Sequence, residues 1–195
     1  IFSGTGQVTP NSTGGNSIVI DPTGNVIAGG QVVGAVTFGS TTLTSAGAGD
    51  AWVAKFNGST LAPIWAERLG GTKADNVNGL AVDYNGDVLA TGAFNVTASI
   101  SGTTASSFAI TANGTTAPDV FVWRLNGTNG ATDWVAGYGD TATQTGDAIV
   151  ANRFAAANQI TFAGTLNSSI TFPAPAGAVT ATGATDVFLT TAKLQ

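Results

Sequence analysis

The sequence predicts an all-β fold made of three tandem units, and three observations carry that prediction. A strand-like motif that begins with Asp and alternates apolar residues occurs three times. The basic residue near the end of each copy lies at Lys55, Arg124 and Lys193, a spacing of 69 residues both times. Only 9% of the residues are charged, and Gly, Thr, Ala, Ser and Asn dominate the rest. A fixed spacing of this size indicates stacked supersecondary units, and short runs of β-tolerant residues between turn formers favour strands.

Each unit is predicted to begin with two strands, which we call a and b. Strand a is a continuous apolar run, which indicates a strand buried on both faces. A tight turn follows in the first two units, where Asp accepts hydrogen bonds from its own downstream backbone and Gly supplies a positive φ. Strand b ends on Gly in every unit. The a strands are Ser17–Asp21, Gly79–Asp83 and Ala148–Asn152, the turns are Asp21–Gly24 and Asp83–Gly86, and the b strands are Asn25–Gly30, Asp87–Gly92 and Gln159–Gly164.

The second half of each unit is predicted to contain a surface arm and strands c and d. The arm varies most in length between units, as expected of a surface insertion. Strand c is the recurring Asp motif, and Asn-Gly pairs in the c–d link favour a hairpin. Strand d carries an aromatic residue followed by Gly. The arms are 35–43, 97–111 and 169–179, the c strands begin at Asp50, Asp119 and Asp186, and the d strands are Ile64–Gly70, Asp133–Gly139 and, at the start of the chain, Ile1–Gln7.

Four antiparallel strands per unit, repeated radially, predict a β-propeller of three blades. The predicted units are 8–70, 71–139 and 140–195, with 1–7 as a d strand that completes a blade. Propellers usually have four to eight blades, so three would leave two apolar faces bare. We therefore expect either a segment of a larger ring in a longer chain, or two copies that close a six-bladed ring. A flat β-solenoid is the alternative architecture.

The composition excludes several classes of function. Cys, His and Met are absent, which removes thiolate and imidazole metal sites, Cys nucleophiles and His-based triads. A net charge of −5 with six scattered basic residues argues against a nucleic-acid partner. No apolar run approaches the length of a membrane span. Glu67 is the single Glu, so no carboxylate pair is nominated for glycoside hydrolysis. We predict a protein that is not an enzyme, with a glycosidase or lyase as the remote alternative.

The motifs resemble a known family. Asp-x-x-Gly-Asn/Asp-Val before strand b, Asp-Ala/Val-Trp/Phe-Val on strand c and Trp before Gly on strand d resemble the β-propeller repeats of secreted and cell-surface bacterial proteins, including seven-bladed-propeller-type repeats. The segment 38–56 is especially similar to versions common in myxobacteria. The resemblance implies an exported, surface-associated structural or binding role. A second, more distant similarity links 125–134 to the docking motif of quinoprotein propellers, in which a Trp packs on the next blade.

Few residues are candidates for ligand contacts. Asp83, Asn85 and Asp87 match the first half of a calcium loop, although the Gly lies at the fourth position instead of the sixth, so a hairpin tip is the favoured interpretation. Tyr84 and Tyr138 fall in predicted loops and could contact surface glycans. Asp at the start of each c strand could line a cation site, but a turn cap that accepts backbone N–H bonds is the favoured interpretation.

Other residues have plainer interpretations. Glu67 is expected to be solvated or ion-paired, and the four Trp residues to form the core between blades. The predicted function is a non-catalytic, extracellular or cell-surface structural or adhesive module that associates with further blades of its own chain or with a second copy. A glycan-binding propeller is the alternative. No cofactor is predicted, with calcium as the alternative.

Overall fold

The computed structural model describes residues 14–152, 159–173 and 176–193, and these contain strands and turns but no helix. The prediction of an all-β fold is confirmed. None of the described residues forms a helix long and apolar enough to cross a membrane. The predicted d strand at 1–7 and most of the a–b turn of the third unit lie outside the described residues.

The strands follow the predicted order within each unit. In unit 1 they are β1 (Gly14–Ile20), β2 (Val26–Val32), β3 (Ala35–Phe38), β4 (Thr41–Thr44), β5 (Asp50–Phe56) and β6 (Pro63–Gly70). In unit 2 they are β7 (Asn76–Val82), β8 (Val88–Phe94), β9 (Thr97–Gly102), β10 (Ala109–Thr111), β11 (Asp119–Leu125) and β12 (Thr132–Tyr138). In unit 3 they are β13 (Gln144–Ala151), β14 (Gln159–Leu166), β15 (Ser169–Phe172), β16 (Gly177–Thr180) and β17 (Asp186–Lys193). Every predicted arm is a two-stranded hairpin.

The sheets differ from the predicted three four-stranded blades. Unit 2 forms a four-stranded antiparallel sheet, but the first sheet has six strands in the order β1-β2-β5-β6-β9-β10, and the third has three in the order β13-β14-β17. The first sheet gains two strands because the arm of unit 2 reaches back and pairs β9 with β6, with Leu69 opposite Ile100. The arms of units 1 and 3 remain separate hairpins. The described sheets do not close into a ring.

The a–b turns form as their sequence predicts. The Oδ1 atom of Asp21 accepts hydrogen bonds from the backbone N–H groups of Thr23, at 2.8 Å, and Asn25, at 2.9 Å. Asp83 makes the same two bonds in unit 2, at 2.8 and 3.0 Å. The glycines Gly24 and Gly86 have φ values of 85° and 88°, a region that costs little for glycine alone. The Asp residue therefore holds the loop closed while the glycine lets the chain reverse.

The c–d links are hairpins, and the glycines of the pairs Asn57-Gly58 and Asn126-Gly127 are not the residues that supply a positive φ. The positive φ values in these links belong to Leu61 (56°) and Gly130 (79°). A Cβ atom at Gly58 would lie 1.8 Å from the carbonyl oxygen of Gly24, and one at Gly127 would lie equally close to that of Gly86. These glycines thus allow the c–d link to press against the a–b turn of the same unit.

Apolar cores lie between the sheets. The core between units 1 and 2 contains Ile27, Val53 and Trp65 from unit 1 with Leu80 and Trp123 from unit 2. Strand β7 packs against β1, β2 and β5, and β13 packs against β7, β8 and β11. The first strands of units 2 and 3 therefore each lie on the face of the preceding unit.

The second junction has a core of the same kind. It joins Leu89 and Val122 of unit 2 to Ile149, Ile160 and Phe162 of unit 3. The chain thus repeats one interface twice, and unit 2 lies between units 1 and 3.

The register of the third unit corrects one sequence interpretation. Leu89 lies opposite Arg124 in unit 2 and Thr161 lies opposite Thr191 in unit 3. Leu89 and Thr161 occupy the same position in strand b of their units, because each comes directly after the first apolar residue of that strand. Their partners across the sheet, Arg124 and Thr191, are therefore structural counterparts. Lys193 lies two residues further along the strand. The spacing of 69 residues therefore marks equivalent basic residues in units 1 and 2, whereas in unit 3 the sheet aligns on Asp186 and Phe188.

Candidate functional site

The Asp residue at the start of each c strand is a turn cap. The Oδ2 atom of Asp50 accepts the N–H of Ala46 at 3.0 Å, that of Asp119 accepts the N–H of Asn113 at 2.8 Å, and that of Asp186 accepts the N–H of Thr182 at 2.6 Å. Each bond closes the loop that returns from the arm. The Asp50 carboxylate also pairs with Arg68. The turn cap, which was the favoured interpretation, is confirmed at all three positions, whereas the ion pair of Asp50 with Arg68 was not predicted.

Two of the calcium candidates, Asp83 and Asp87, pair with an arginine, and the backbone N–H of the third, Asn85, donates to Oδ1 of Asp83 at 2.8 Å. Nη2 of Arg124 lies 3.0 Å from Oδ2 of Asp83 and 2.8 Å from Oδ2 of Asp87. The remaining oxygens accept backbone N–H bonds, including that of Gly127 to Oδ1 of Asp87 at 2.9 Å. The described residues contain no cluster of three or more acidic, His or Cys side chains arranged to hold a metal ion. The positive charge next to the Asp83 and Asp87 carboxylates is the guanidinium group of Arg124.

A lysine joins units 1 and 2. Nζ of Lys55 lies 2.7 Å from Oδ2 of Asp21 and donates to the carbonyl oxygen of Gly127 at 2.6 Å. Nε1 of Trp65 donates to the same carbonyl at 3.3 Å. Lys55, together with backbone and Thr23 donors, holds the pKa of Asp21 well below its usual range although burial opposes this. Two side chains of unit 1 are therefore anchored on the c–d link of unit 2.

Tyr84 lies at a polar groove above this junction. The groove has a volume of about 370 Å³ and runs between the a–b turns of units 1 and 2 and the c–d link of unit 2. Asn25, Asn85 and Thr128 line it with Tyr84, and Lys55 and Asp21 reach it from below. The Tyr84 ring is exposed, so the groove offers an aromatic face beside amide and hydroxyl groups.

Tyr138 does not lie in a loop, as the sequence suggested, but ends strand β12. Its ring packs 6.1 Å from the Phe162 ring and 5.4 Å from that of Phe172. Burial raises the pKa of its hydroxyl. Tyr138 and Trp134 line an apolar groove of about 440 Å³ beside strand β17. The residue is half-buried among apolar neighbours and belongs to the junction of units 2 and 3.

Two carboxyl groups, those of Glu67 and Asp75, are fully buried and form no salt bridge with the described residues, and the sequence did not indicate the burial of either. Glu67 is fully buried, and its Oε1 atom accepts bonds from the N–H and the hydroxyl of Thr104 at 2.7 and 2.9 Å. Asp75 accepts the N–H groups of Asn95 and Gly71 at 2.7 and 2.9 Å. Burial raises the pKa of each to about 7, against the effect of these hydrogen bonds. The expectation that Glu67 is solvated or ion-paired is wrong, because the arm of unit 2 covers it.

The outer faces of units 1 and 3 carry exposed apolar residues. Ile18 of β1 is 69% exposed, whereas its counterparts Leu80 and Ile149, which face a neighbouring unit, are 6% and 5% exposed. In the opposite direction, Leu189 of β17 is 72% exposed, while its counterpart Val122 is 1% exposed. Ile20, Val150 and Val187 follow the same pattern. We call the surface of Ile18 and Ile20 the first end face and that of Val150, Val187 and Leu189 the last end face.

The signal for these faces was present in the sequence. The same strand positions hold apolar residues in all three units, so units 1 and 3 each carry a set of them on the face that no other described unit covers. The four Trp residues were expected to form the core between blades. Trp65 and Trp123 are buried, and Trp52 and Trp134 are half-buried, in the described cores.

Comparison of the chain with protein-family models and with curated proteins finds no match.

Proposed function

We propose that this chain is a non-catalytic structural module of the β-propeller type, exported to the cell surface or the extracellular space, which works by association through its end faces. The partner is a further repeat, supplied by the same longer chain or by a second copy. The observation that carries the proposal is the contrast between exposed Ile18 and Leu189 at the two end faces and their buried counterparts between units.

The two internal junctions support a propeller-type stack because they reuse one geometry. The Nδ2 atom of Asn16 donates to the carbonyl of Val77 at 2.9 Å, and Asn78 donates to the carbonyl of Gly146 at the same distance. Both bonds join the first strands of successive units. A stack that repeats the same face-to-face contact and the same side-chain bond can continue through further units, as blades do around a ring.

Bare apolar end faces would make an isolated open stack unfavourable. If each face resembles one side of a standard protein interface, it offers about 800 Å². At about 25 cal/mol per Å², covering such a face is worth on the order of 20 kcal/mol before the costs of association. A domain's net stability is only about 5–15 kcal/mol. The free energy gained by covering one such face would therefore be as large as the whole net stability of a domain.

Sedimentation velocity of the intact chain tests the proposal. We expect self-association at micromolar concentration, and we expect Ile18→Glu and Leu189→Glu each to weaken it at least tenfold, since each places a charge in an apolar contact. Phe108→Glu, at an exposed site on the arm of unit 2, is the matched control and should leave association unchanged. A folded wild-type chain that remains strictly monomeric would contradict the proposal.

Mixing the two face variants tests the direction of the contact. Ile18→Glu retains the last end face and Leu189→Glu retains the first, so a head-to-tail contact predicts that the mixture forms a dimer although neither variant does so alone. A mixture that stays monomeric while the wild type associates would show that the two end faces do not dock on each other.

A glycan-binding role is the second candidate, and the Tyr84 groove favours it. An exposed aromatic ring beside the amides of Asn25 and Asn85 suits a neutral sugar, whose apolar face stacks on the ring while its hydroxyls meet polar groups. A glycan array followed by calorimetry tests this role. Tyr84→Ala should weaken binding at least tenfold, whereas Tyr138→Phe, which retains the buried ring, should not. Absence of binding on the array removes the candidate.

An enzymatic role lacks support from the described residues. The single Glu, Glu67, is fully buried beneath Thr104 and cannot reach a substrate in solvent. Asp83 and Asp87 are paired with Arg124. We therefore retain the structural role as the proposal.

A further inference from the structure

Among the described residues, strand β17 lacks a partner strand on one edge, whereas its counterparts are paired on both edges. Strand β5 pairs with β2 on one side and with β6 on the other, and β11 pairs in the same way with β8 and β12. Among the described residues β17 pairs with β14 alone. An unpaired edge in an extended strand is a template for another strand. No described strand therefore fills in unit 3 the position that β6 and β12 fill in units 1 and 2.

An apolar groove marks that position. It has a volume of about 440 Å³ and runs along β17 from Thr190 to Lys193, with Trp134, Tyr138 and Phe172 on its other sides. Unit 1 shows what fills the equivalent space: the fourth strand β6 brings Ala66 onto Phe38 of the arm. Phe172 ends the arm strand β15 of unit 3 as Phe38 ends β3 of unit 1. The groove therefore has the shape and the chemistry of a seat for a fourth strand with a small inward side chain.

We propose that segment 1–7 of a second copy of this chain binds this groove as the fourth strand of unit 3. The segment Ile1-Phe-Ser-Gly-Thr-Gly-Gln7 matches strands β6 and β12 in sequence: Phe2 aligns with Trp65 and Trp134, and the small Ser3 aligns with Ala66. Main-chain hydrogen bonds to β17 supply affinity, and the alternation of Phe2 with small residues supplies fit. The segment itself lies outside the described residues.

The reach of the chain favours a second copy over the same copy. The path from Gly14 to the far side of β17 crosses two sheet spacings of about 10 Å and three strand spacings of about 4.8 Å, about 25 Å in a straight line. Residues 8–13 span that distance only when almost fully extended, at about 3.4 Å per residue, and unit 2 lies across the direct route. Exchange of the segment between copies removes this constraint.

This inference rests on the proposed function because both name a second copy as the partner. It concerns the edge of β17 and not the end faces.

Its test uses introduced cysteines, because the natural chain has none. In unit 1, Val53 lies opposite Glu67, and Val122 lies opposite Ala136 in unit 2. Leu189 is the counterpart of Val53 and of Val122, and Gly4 aligns with Glu67 and Ala136. In the proposed pairing, Gly4 of one copy therefore lies opposite Leu189 of the other.

A mixture of Gly4→Cys and Leu189→Cys single variants under mild oxidation should form a disulfide-linked dimer that joins the two variants. A mixture of Gly4→Cys with Val150→Cys is the control, since Val150 is similarly exposed but lies on β13, away from the open edge. We expect the first mixture to crosslink at least tenfold faster. Equal rates in the two mixtures would overturn the proposal, and so would a Gly4→Cys/Leu189→Cys double variant that forms only an internal disulfide.

A synthetic peptide of residues 1–7 gives a second measurement. It should slow crosslinking in the first mixture and shift the emission of Trp134, which lines the groove, whereas a peptide with the same residues in scrambled order should do neither. Failure of the native peptide in both readouts counts against the proposal. If the wild type associates and Ile18→Glu weakens that association, yet no selective crosslink forms, the strand exchange is wrong while the proposed function stands. Selective crosslinking with no effect of Ile18→Glu would support the strand exchange and overturn association through the end faces.

Discussion

The buried carboxyl group of Glu67 makes the stability of this protein depend on pH near neutrality. The side chain lies between strand β6 and the arm of unit 2, fully buried, with Thr104 as donor to one oxygen. The other oxygen, Oε2, has no hydrogen-bond partner among the described residues. Burial raises the pKa of Glu67 from 4.5 to about 7. The charged form is therefore disfavoured in the fold relative to the unfolded chain.

The sign and size of the effect follow from this pKa. Below pH 4.5 the carboxyl is protonated in both states, and the fold has its full stability from this group. Between pH 4.5 and 7 the unfolded chain releases the proton first, so the free energy of unfolding falls as pH rises. A pKa raised from 4.5 to about 7 corresponds to about 3 kcal/mol in total, of which about 2 kcal/mol falls between pH 5 and pH 8. Asp75, with its pKa also raised to about 7, acts in the same direction.

Urea unfolding at pH 5 and pH 8, followed by tryptophan fluorescence, measures the effect. Glu67→Gln keeps an oxygen for the Thr104 donors and cannot ionise. Between pH 5 and pH 8 its free energy of unfolding should therefore fall by about 2 kcal/mol less than that of the wild type. At pH 8 the variant should be the more stable protein. Thr104→Val is the matched variant. It removes a donor that favours the carboxylate, so the pKa of Glu67 should rise further and the loss of stability at pH 8 should increase. A Glu67→Gln protein with the same pH dependence as the wild type would refute the reasoning.

Three further predictions concern contacts and turns within single units. Arg124→Met should destabilise the fold by about 3–5 kcal/mol in urea unfolding, because it leaves buried Asp83 and the adjacent carboxylate without a cation. Leu61→Gly should raise the free energy of unfolding by up to about 1 kcal/mol, since left-handed backbone costs leucine about 1–2 kcal/mol and glycine loses about 0.5–1 kcal/mol in flexibility. Gly58→Ala should destabilise by more than about 2 kcal/mol, because its Cβ would lie 1.8 Å from the carbonyl oxygen of Gly24.

Matched variants check each of these predictions. Gly130→Leu should have the opposite sign to Leu61→Gly, because the equivalent site has a φ of 79° and a Cβ there would lie 2.8 Å from the Trp65 ring. Gly15→Ala, where no atom lies within 4 Å of the new Cβ, should change stability little. Comparable losses at Gly15 and Gly58 would show that close approach is not the reason for the glycine. An Arg124→Met protein as stable as the wild type would contradict the ion-pair argument.

The sequence was sufficient to predict features that depend on neighbours close in the chain. The a–b turn at Asp21 is an example, because the Asp oxygen bonds N–H groups two and four residues away. The cap at Asp119 is another, since its partner Asn113 lies six residues upstream. Strand order followed as well, because apolar runs and turn residues recur in all three units. In each case the information lies within a few residues of the feature.

The incorrect predictions depend on contacts between units. Glu67 was expected to be solvated or ion-paired, but Thr104, thirty-seven residues later, covers it. Tyr138 was expected in a loop, but it ends a strand and packs on Phe162 of the next unit. The length of the arm in unit 2 decides the first outcome, because this arm is the longest of the three and pairs with the d strand of the preceding unit. Nothing in the sequence near Glu67 indicates this.

The joint between units 1 and 2 explains why equivalent tryptophans differ in burial. The carbonyl of Gly127, in the c–d link of unit 2, accepts hydrogen bonds from Lys55 and Trp65 of unit 1, and Trp65 is buried against that link. Trp134 holds the same position in unit 2 and is half-buried. The described part of the chain includes no link after β17 that could cover it. Unit 2 therefore completes the packing of Trp65 in unit 1, and a fourth strand bound along β17 should in the same way bury Trp134 further.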